Sequence, residues 1–293
     1  SALDATVSGG NNTAIGKEAL TDLTSGIGNV AVGKSALANN TSASDNTAIG
    51  INALLINTTG ASNTAIGSSA LDANTTASNN TAIGTSALSE NTTGAQNTAV
   101  GGNSLDANTS GSDNSCLGRG ALGANTTGSN NTAVGKDSLA LNTTASNNTA
   151  IGKSALEQNT TGTRNTVVGS LALDANTTAN DNTGVGYASL TANTTGISNT
   201  GLGSFALSSN TTASNNTAIG FQSLLLNTTG GSNTATGKNS LANNTTGSDN
   251  AAYGVESLEN NTTANNNTAV GYRSLRANTT GDKNTSVGAS ALD

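Results

Sequence analysis

The segment Asn46–Ser62 reads NTAIGINALLINTTGAS, and the next segment, Asn63–Asn79, reads NTAIGSSALDANTTASN. Both segments are 17 residues long, and the glycine of NTAIG recurs at this spacing from Gly16 to Gly288 without an insertion or a deletion. A fixed short period means that each unit is one structural coil that stacks on the next. The sequence therefore predicts an ordered solenoid of seventeen 17-residue coils.

Each coil is numbered here from the asparagine of its NTAIG segment, so that Asn46 is position 1 and Ser62 is position 17. Positions 1–5 are short, β-capable and bounded by Asn and Gly, which predicts a β-strand. Positions 2 and 4 should point to one face of this strand and position 3 to the other. After the glycine, the pattern fits either a second short strand or a tight helical turn. We expect an all-β fold, a parallel β-solenoid or β-roll.

Aliphatic residues recur at positions 4 and 9, and we predict that they form the core. Position 9 is Leu in every coil, and position 4 is Ile, Val or Leu in all coils except those of Thr236 and Tyr253. The first members of the predicted core are Ile15, Val32, Ile49, Leu20, Leu37 and Leu54. Position 3 is small in nearly every coil, which predicts a small-residue face that another backbone, or a partner chain, approaches closely.

Asparagine recurs at position 1 and, from Asn40 onwards, at position 12. In a parallel solenoid the same residue lies about 4.8 Å above itself, so stacked side-chain amides can hydrogen-bond as ladders. The glycine at position 5 marks a turn with positive φ or close packing. The predicted structural positions include Asn12, Asn29, Asn46, Asn57, Asn74, Asn91, Gly16, Gly33 and Gly50. Asn57-Thr58-Thr59 is also a glycosylation sequon, but a chain rich in Asn and Thr produces such triplets by composition, and we interpret it as structural.

Composition argues against several classes of function. The chain has no His, one Cys and only 9% charged residues, with a net charge of −7 and no basic stripe. We therefore predict no enzymatic activity, no cofactor and no nucleic-acid partner. No apolar run approaches the roughly 20 residues that span a bilayer, so we expect no membrane insertion.

Three sets of side chains are candidates for a site. Asp residues at position 17 recur every fourth coil, which indicates either a line of calcium ligands or duplication of a four-coil block; calcium-binding rolls carry Asp in every turn, so we favour duplication. The large residues after the glycine indicate either a recognition surface or packing variants on an outer edge. The recurring Asp residues are Asp45, Asp113, Asp181 and Asp249, and the aromatic candidates are Tyr187, Phe205, Phe221 and Tyr272. Cys116 replaces the usual Ala of position 3, and we interpret it as a buried structural residue.

The NTAIG segments, and NVAVG at Asn29–Gly33, resemble the SVAIG repeats in the heads of trimeric autotransporter adhesins. Similar repeats occur in phage tail-fibre proteins. The resemblance implies a left-handed parallel β-roll in which three chains associate along a common axis. It also implies an extracellular location, on a cell surface, in a secreted filament or on a virion. The repeat here is longer than the usual head repeat, and Thr replaces Val at position 2.

We therefore predict one continuous array over residues 1–293 without separate capping domains, assembled as a parallel homotrimer. Each coil has few aliphatic side chains to offset the entropy of ordering its backbone, which favours self-association. The predicted function is that of a rigid extracellular fibre or adhesin shaft for surface attachment or filament building, with a host or cell-surface receptor as a further partner. Ser1–Asp4 and Ser290–Asp293 are the same tetrapeptide in the same phase. This identity predicts a segment of a longer array or end-to-end polymerisation.

The alternative function is ice binding through ordered threonine columns. Threonine recurs at position 2 and at positions 13 and 14, as in Thr58-Thr59. Flat arrays of threonine are the surfaces on which ice-binding solenoids order water. Thermal hysteresis of the purified chain distinguishes this function from that of a fibre.

Overall fold

The computed structural model describes every residue except Ser1, Asp4 and Thr6, so part of the first SALD tetrapeptide and the first residue of position 12 lie outside the described residues. The chain divides into two compact units, Ser1–Asn147 and Asn148–Asp293. Their secondary structure consists of seventeen β-strands of three residues each, one in every NTAIG segment. The predicted all-β fold is therefore confirmed.

The first unit contains β1 (Thr13–Ile15), β2 (Val30–Val32), β3 (Thr47–Ile49), β4 (Thr64–Ile66), β5 (Thr81–Ile83), β6 (Thr98–Val100), β7 (Ser115–Leu117) and β8 (Thr132–Val134). The second contains β9 (Thr149–Ile151), β10 (Thr166–Val168), β11 (Thr183–Val185), β12 (Thr200–Leu202), β13 (Thr217–Ile219), β14 (Thr234–Thr236), β15 (Ala251–Tyr253), β16 (Thr268–Val270) and β17 (Thr285–Val287).

Within each unit, every strand pairs in parallel with the strand of the next coil. The register places equal positions side by side, so that Thr47 pairs with Thr64 and Ile49 with Ile66. The same holds in the second unit, where Thr200 pairs with Thr217. Each unit is thus a parallel β-solenoid with a 17-residue coil, as the period predicts.

The segment after the glycine is neither a second strand nor a helix in the described coils, but a run of turns. The position-9 leucines have positive φ, with values of 50° for Leu20 and 51° for Leu37. This left-handed conformation costs a residue with a Cβ about 1–2 kcal/mol. Burying a leucine side chain contributes about 1.5–3 kcal/mol, and these leucines are fully buried, so the turn that strains the backbone also fills the core.

The predicted position of the aliphatic strand residues is wrong. Ile15 is 61% exposed and Ile49 is 39% exposed, and Val32 is only half-buried. The position-3 alanine that separates positions 2 and 4, such as Ala48, is completely buried instead. The reason is the narrow interior: the position-9 leucine and two asparagines fill it, and position 3 holds Ala, Gly, Ser or Cys in every coil except that of Val167, which is also fully buried.

The small-residue face therefore meets the chain's own returning turn, not a partner chain. Leu20, Leu37 and Leu54 lie in this interior, each with 0% exposure. Ala14 and its successors line the opposite wall. The core of each coil thus consists of position 9 together with the small residues of positions 3 and 8.

The position-5 glycines stack on one another with φ between 128° and 145°. A Cβ built on Gly50 would lie 2.4 Å from the carbonyl oxygen of Gly67, the equivalent glycine of the next coil. Both the backbone conformation and the close approach of the next backbone exclude a side chain here. This accounts for the glycine in every coil.

Candidate functional site: the outward strand face

The position-1 asparagines use both ends of the side-chain amide: the donor bonds within the coil, and the acceptor links the coil to the next one. The Nδ2 group of Asn46 donates to the carbonyl oxygen of Gly60 at 2.9 Å. Its Oδ1 accepts from the backbone N–H of Asn63, also at 2.9 Å. The same pattern begins with Asn12, whose Oδ1 accepts from the backbone N–H of Asn29 at 2.9 Å.

The position-12 asparagines form a second line, in which one amide donates to the previous one. The Nδ2 group of Asn74 lies 2.7 Å from the Oδ1 atom of Asn57, and Asn91 donates to Asn74 at 3.1 Å. Asn74 also donates to the carbonyl oxygen of Ala77 at 3.0 Å, which receives a further hydrogen bond from Asn63 at 2.9 Å. The two lines therefore meet at one backbone carbonyl per coil and hold the strand in place.

These asparagines are buried. Asn29, Asn46, Asn57, Asn74 and Asn91 all have 0% exposure, and Asn12, in the first coil, is half-buried. Buried amides that use both their donors and their acceptor stabilise the fold, whereas an unpaired one would cost free energy. Asn57 is out of reach of a glycosylating enzyme in the folded chain, so the structural interpretation of its sequon is the one the geometry favours.

The residues at positions 2 and 4 form a continuous outward surface in each unit, called the strand face below. In the first unit it consists of Thr13, Val30, Thr47, Thr64, Thr81, Thr98, Ser115, Thr132, Ile15, Val32, Ile49, Ile66, Ile83, Val100, Leu117 and Val134. In the second it consists of Thr149, Thr166, Thr183, Thr200, Thr217, Thr234, Ala251, Thr268, Thr285, Ile151, Val168, Val185, Leu202, Ile219, Thr236, Tyr253, Val270 and Val287.

The strand face is uncharged and partly apolar. No charged residue occurs at positions 2 or 4 of any coil. Ile83 is 37% exposed, Leu117 52% and Leu202 44%. Because isolated exposed apolar residues are normal but contiguous ones mark interaction surfaces, the repetition of this exposure from coil to coil makes the strand face the main candidate site.

The two sets of threonines have different roles. At position 13, the hydroxyl of Thr58 donates to the carbonyl oxygen of Thr75 at 3.0 Å, and that of Thr92 donates to Thr109 at 3.0 Å. On the strand face, the hydroxyls of Thr64 and Thr81 make no hydrogen bond within the described part of the chain. The position-2 hydroxyls therefore face the surroundings of the molecule, and position 13 serves the backbone.

Three of the four predicted aromatic candidates lie together on consecutive coils. The Tyr187 and Phe205 rings are 5.3 Å apart and the Phe205 and Phe221 rings 6.4 Å apart, both in edge-to-face geometry. Tyr272 lies apart from them and contacts Arg273, whose guanidinium is 4.8 Å from the ring centroid. The structure thus forms one small aromatic cluster beside the strand face and leaves Tyr272 in a separate cation–π pair.

The recurring aspartates occupy a turn position with positive φ. The values are 60° for Asp45, 59° for Asp113, 62° for Asp181 and 59° for Asp249. Asp and Asn are the residues with side chains that adopt this conformation most readily, which accounts for their place in the repeat. No group of three metal-ligating side chains occurs among the described residues.

Two further features involve titratable groups. Burial raises the pKa of the Cys116 thiol, which lies in the interior at position 3. Burial also raises the pKa of Asp72 and of Asp106, with a smaller contribution from the negative charge of Glu90. These three carboxylates stand on consecutive coils of the first unit.

No known family's sequence profile matches the chain, and a comparison with curated proteins finds no relative. No helix long and apolar enough to cross a membrane occurs among the residues that the structure describes.

Sequence reasoning missed the strand face because it placed the aliphatic column inside. The relevant signal was the size contrast within NTAIG: Ala at position 3 is the residue that fits a narrow interior, while Thr at position 2 shares its face with position 4. A strand that alternates Thr, Ala and Ile predicts that Thr and Ile share one environment. Threonine belongs more readily to a surface than to a core.

Proposed function

We propose that this chain is a non-enzymatic structural module of an extracellular fibre or adhesin shaft, and that its copies associate through the strand face as a parallel homotrimer. The observation that carries the proposal is the column of exposed aliphatic side chains at position 4, repeated on coil after coil. A surface with one fixed spacing is matched along its whole length by a partner with the same spacing, and another copy of the chain has it.

Association through this face would be favourable at each coil. Fully burying an Ile side chain contributes about 1.5–3 kcal/mol, so covering the exposed third or more of a position-4 side chain such as Ile83 contributes roughly 0.5–1 kcal/mol, and less-exposed ones such as Val32 contribute less. A single coil contributes too little to hold two chains together. Many coils in phase contribute enough to exceed the entropic cost of association, which is about 4–15 kcal/mol.

The interior supports a mechanical role. Each coil is joined to the next by strand pairing, by two asparagine lines and by threonine hydroxyls bonded to backbone carbonyls, as in Thr58 and Thr75. Such repeated cross-coil bonds resist bending and stretching. The resemblance to adhesin heads and tail fibres supports an extracellular location, end-to-end filament building and a cell-surface receptor, for which the Tyr187–Phe205–Phe221 cluster is the candidate contact.

The association is tested with charge substitutions on and off the strand face. Ile49→Lys combined with Ile83→Lys places two ammonium groups on the face, and burying them is costly. We expect native mass spectrometry to detect only the monomer of this double variant and a trimer of the wild-type chain. The control is Ile51→Lys. Ile51 is 55% exposed but follows the position-5 glycine and lies outside the strand face. A double variant that stays trimeric would show that the interface lies elsewhere.

A second candidate function is ice binding by the same face. The specific observation that favours it is the row of position-2 hydroxyls that bond to no group among the described residues, spaced about 4.8 Å apart along the solenoid and interleaved with methyl groups. An uncharged array with one regular spacing can order water. Thr58 and the other position-13 threonines do not contribute, since their hydroxyls are bonded to the backbone.

Thermal hysteresis and mass, measured on the same sample, separate the two functions because they use one surface. A monomer with hysteresis that Thr81→Lys abolishes and Thr76→Lys leaves intact supports ice binding. Thr76 is an exposed residue at position 14 and serves as the off-face control. A trimer without hysteresis supports the fibre.

A further inference from the structure

The strand face of the second unit departs from its repeat at one place. In that unit, position 2 is Thr in every coil except that of Ala251, and position 4 is Ile, Val or Leu except at Thr236 and Tyr253. The three departures are neighbours. Thr236 pairs with Tyr253 across adjacent strands, and Ala251 precedes Tyr253 by two residues on the same strand and the same face.

The departures place a projection beside a recess. Tyr253 is 45% exposed, and its phenol is larger than any other side chain of the strand face. Ala251 has a smaller side chain than the threonines of the other coils. Thr236 has a shorter side chain than the Ile and Leu residues of its column, such as Ile219 in the preceding coil. The small residues therefore lie next to the large one, both along its own strand and on the adjacent coil.

A regular face specifies alignment poorly. Two copies that slide by one coil, about 4.8 Å, bring nearly the same side chains together again. Strands with repetitive, weakly distinctive faces are prone to register slippage for this reason. A single non-repeating feature removes the ambiguity, much as one polar residue fixes the register of a coiled coil.

We propose that Tyr253, together with the recess at Ala251 and Thr236, fixes the parallel, in-register alignment of copies of this chain. The proposal rests on the association described above and adds its specificity. In register, Tyr253 of each copy lies at the level of the partner's Ala251. A slip of one coil places one phenol against Thr234 and Thr236, but it places the other phenol against Thr268 and Val270, where it holds the two faces apart.

Disulfide cross-linking between copies tests the alignment. One chain carries Thr200→Cys and the other Thr234→Cys, both at position 2 and two coils apart, each with Cys116→Ala to remove the native thiol. The two chains are unfolded, mixed, refolded together and oxidised with diamide, and the cross-linked species are identified by mass. Two coils correspond to about 9–10 Å along the solenoid, which exceeds the Cα separation of about 7 Å that a disulfide bridges.

With Tyr253 present, we expect cross-links between the same residue of two copies, and none between residue 200 of one copy and residue 234 of another. Tyr253→Val restores the repeat residue and should leave association intact, but it should raise the offset cross-links at least tenfold. Tyr187→Val, an exposed tyrosine outside the strand face, is the matched control and should change nothing.

The outcomes separate this proposal from the proposed function. Trimers whose offset cross-links are the same with Tyr253 and with Tyr253→Val would overturn the alignment role and leave the association standing. A chain that remains monomeric and forms no cross-link of either kind would overturn both proposals.

Discussion

The buried asparagine lines make a quantitative prediction at Asn108, in the first unit. Its Nδ2 group donates to the Oδ1 atom of Asn91 at 2.8 Å and to the carbonyl oxygen of Gly111 at 2.9 Å, and its Oδ1 accepts from Asn125 at 2.9 Å. Asn108→Ala removes all three hydrogen bonds. At about 1 kcal/mol net for each, we expect the free energy of unfolding to fall by about 3 kcal/mol.

The groups left behind explain why the loss does not stop at one bond. Asn125 still donates to Gly128, and Gly111 still accepts from Asn97. The Oδ1 atom of Asn91, however, loses its side-chain donor in a site with no access to water. A buried acceptor without a partner costs about 1–3 kcal/mol. This cost overlaps with the contribution of about 1 kcal/mol assigned to the lost hydrogen bond, so the two are not simply added.

Urea unfolding followed by circular dichroism measures this effect. The control is Asn39→Ala, because Asn39 is exposed at position 11 and its substitution should change the free energy by less than about 0.5 kcal/mol. Asn108→Leu places an apolar side chain at the same site without the amide, and the fully buried Leu23 shows that position 12 accommodates a leucine. An Asn108→Ala chain as stable as the Asn39→Ala chain would refute the structural role of the asparagine lines.

Three further predictions concern glycines and carboxylates. Gly184→Ala should stabilise the chain by about 1 kcal/mol, because an added Cβ meets its nearest neighbour at 3.6 Å. A lower melting temperature in thermal unfolding would contradict this prediction. Gly84→Ala should prevent the native stacking of its coil, which appears as lost circular dichroism, since the Cβ would lie 2.6 Å from the backbone of the next coil at φ 136°. Asp72→Asn with Asp106→Asn should raise the melting temperature at pH 7. Burial raises the folded pKa of both carboxyl groups above the ordinary 3.8. The protonated carboxyl groups therefore contribute their full stability below pH 3.8, and this contribution is lost as the pH rises through the folded pKa values. The advantage of the double variant should therefore vanish below pH 3.8, and an advantage independent of pH would contradict the assignment.

The period predicts much of the fold because each repeated residue meets a requirement that is the same in every coil. The glycine at position 5 indicates a close approach of two backbones, and the leucine at position 9 indicates a buried side chain. Both residues are visible in the sequence. The strand at NTAIG follows from its β-capable residues. These inferences need only local chemistry and the assumption that coils stack in phase.

The orientation of the strand could not be predicted in the same way. Alternation separates Ala48 from Thr47 and Ile49, but it does not say which side is the interior. Ordinary hydrophobicity places Ile inside, and the structure places it outside because the turn after the glycine folds back so closely that position 3 holds small side chains and, in one coil, Val167. Which turn forms depends on left-handed residues such as Leu54, with φ 54°, a conformation that nothing in a leucine indicates.

The mass of the native chain in solution tests the central proposal most directly, namely that copies of the chain cover one another's strand face. The chain has a mass of 28.3 kDa. We predict that sedimentation equilibrium at micromolar concentration gives three times this mass, and that Ile49→Lys with Ile83→Lys reduces it to that of one chain. A wild-type chain that sediments as a 28.3 kDa monomer with its aliphatic column exposed to water would contradict the account.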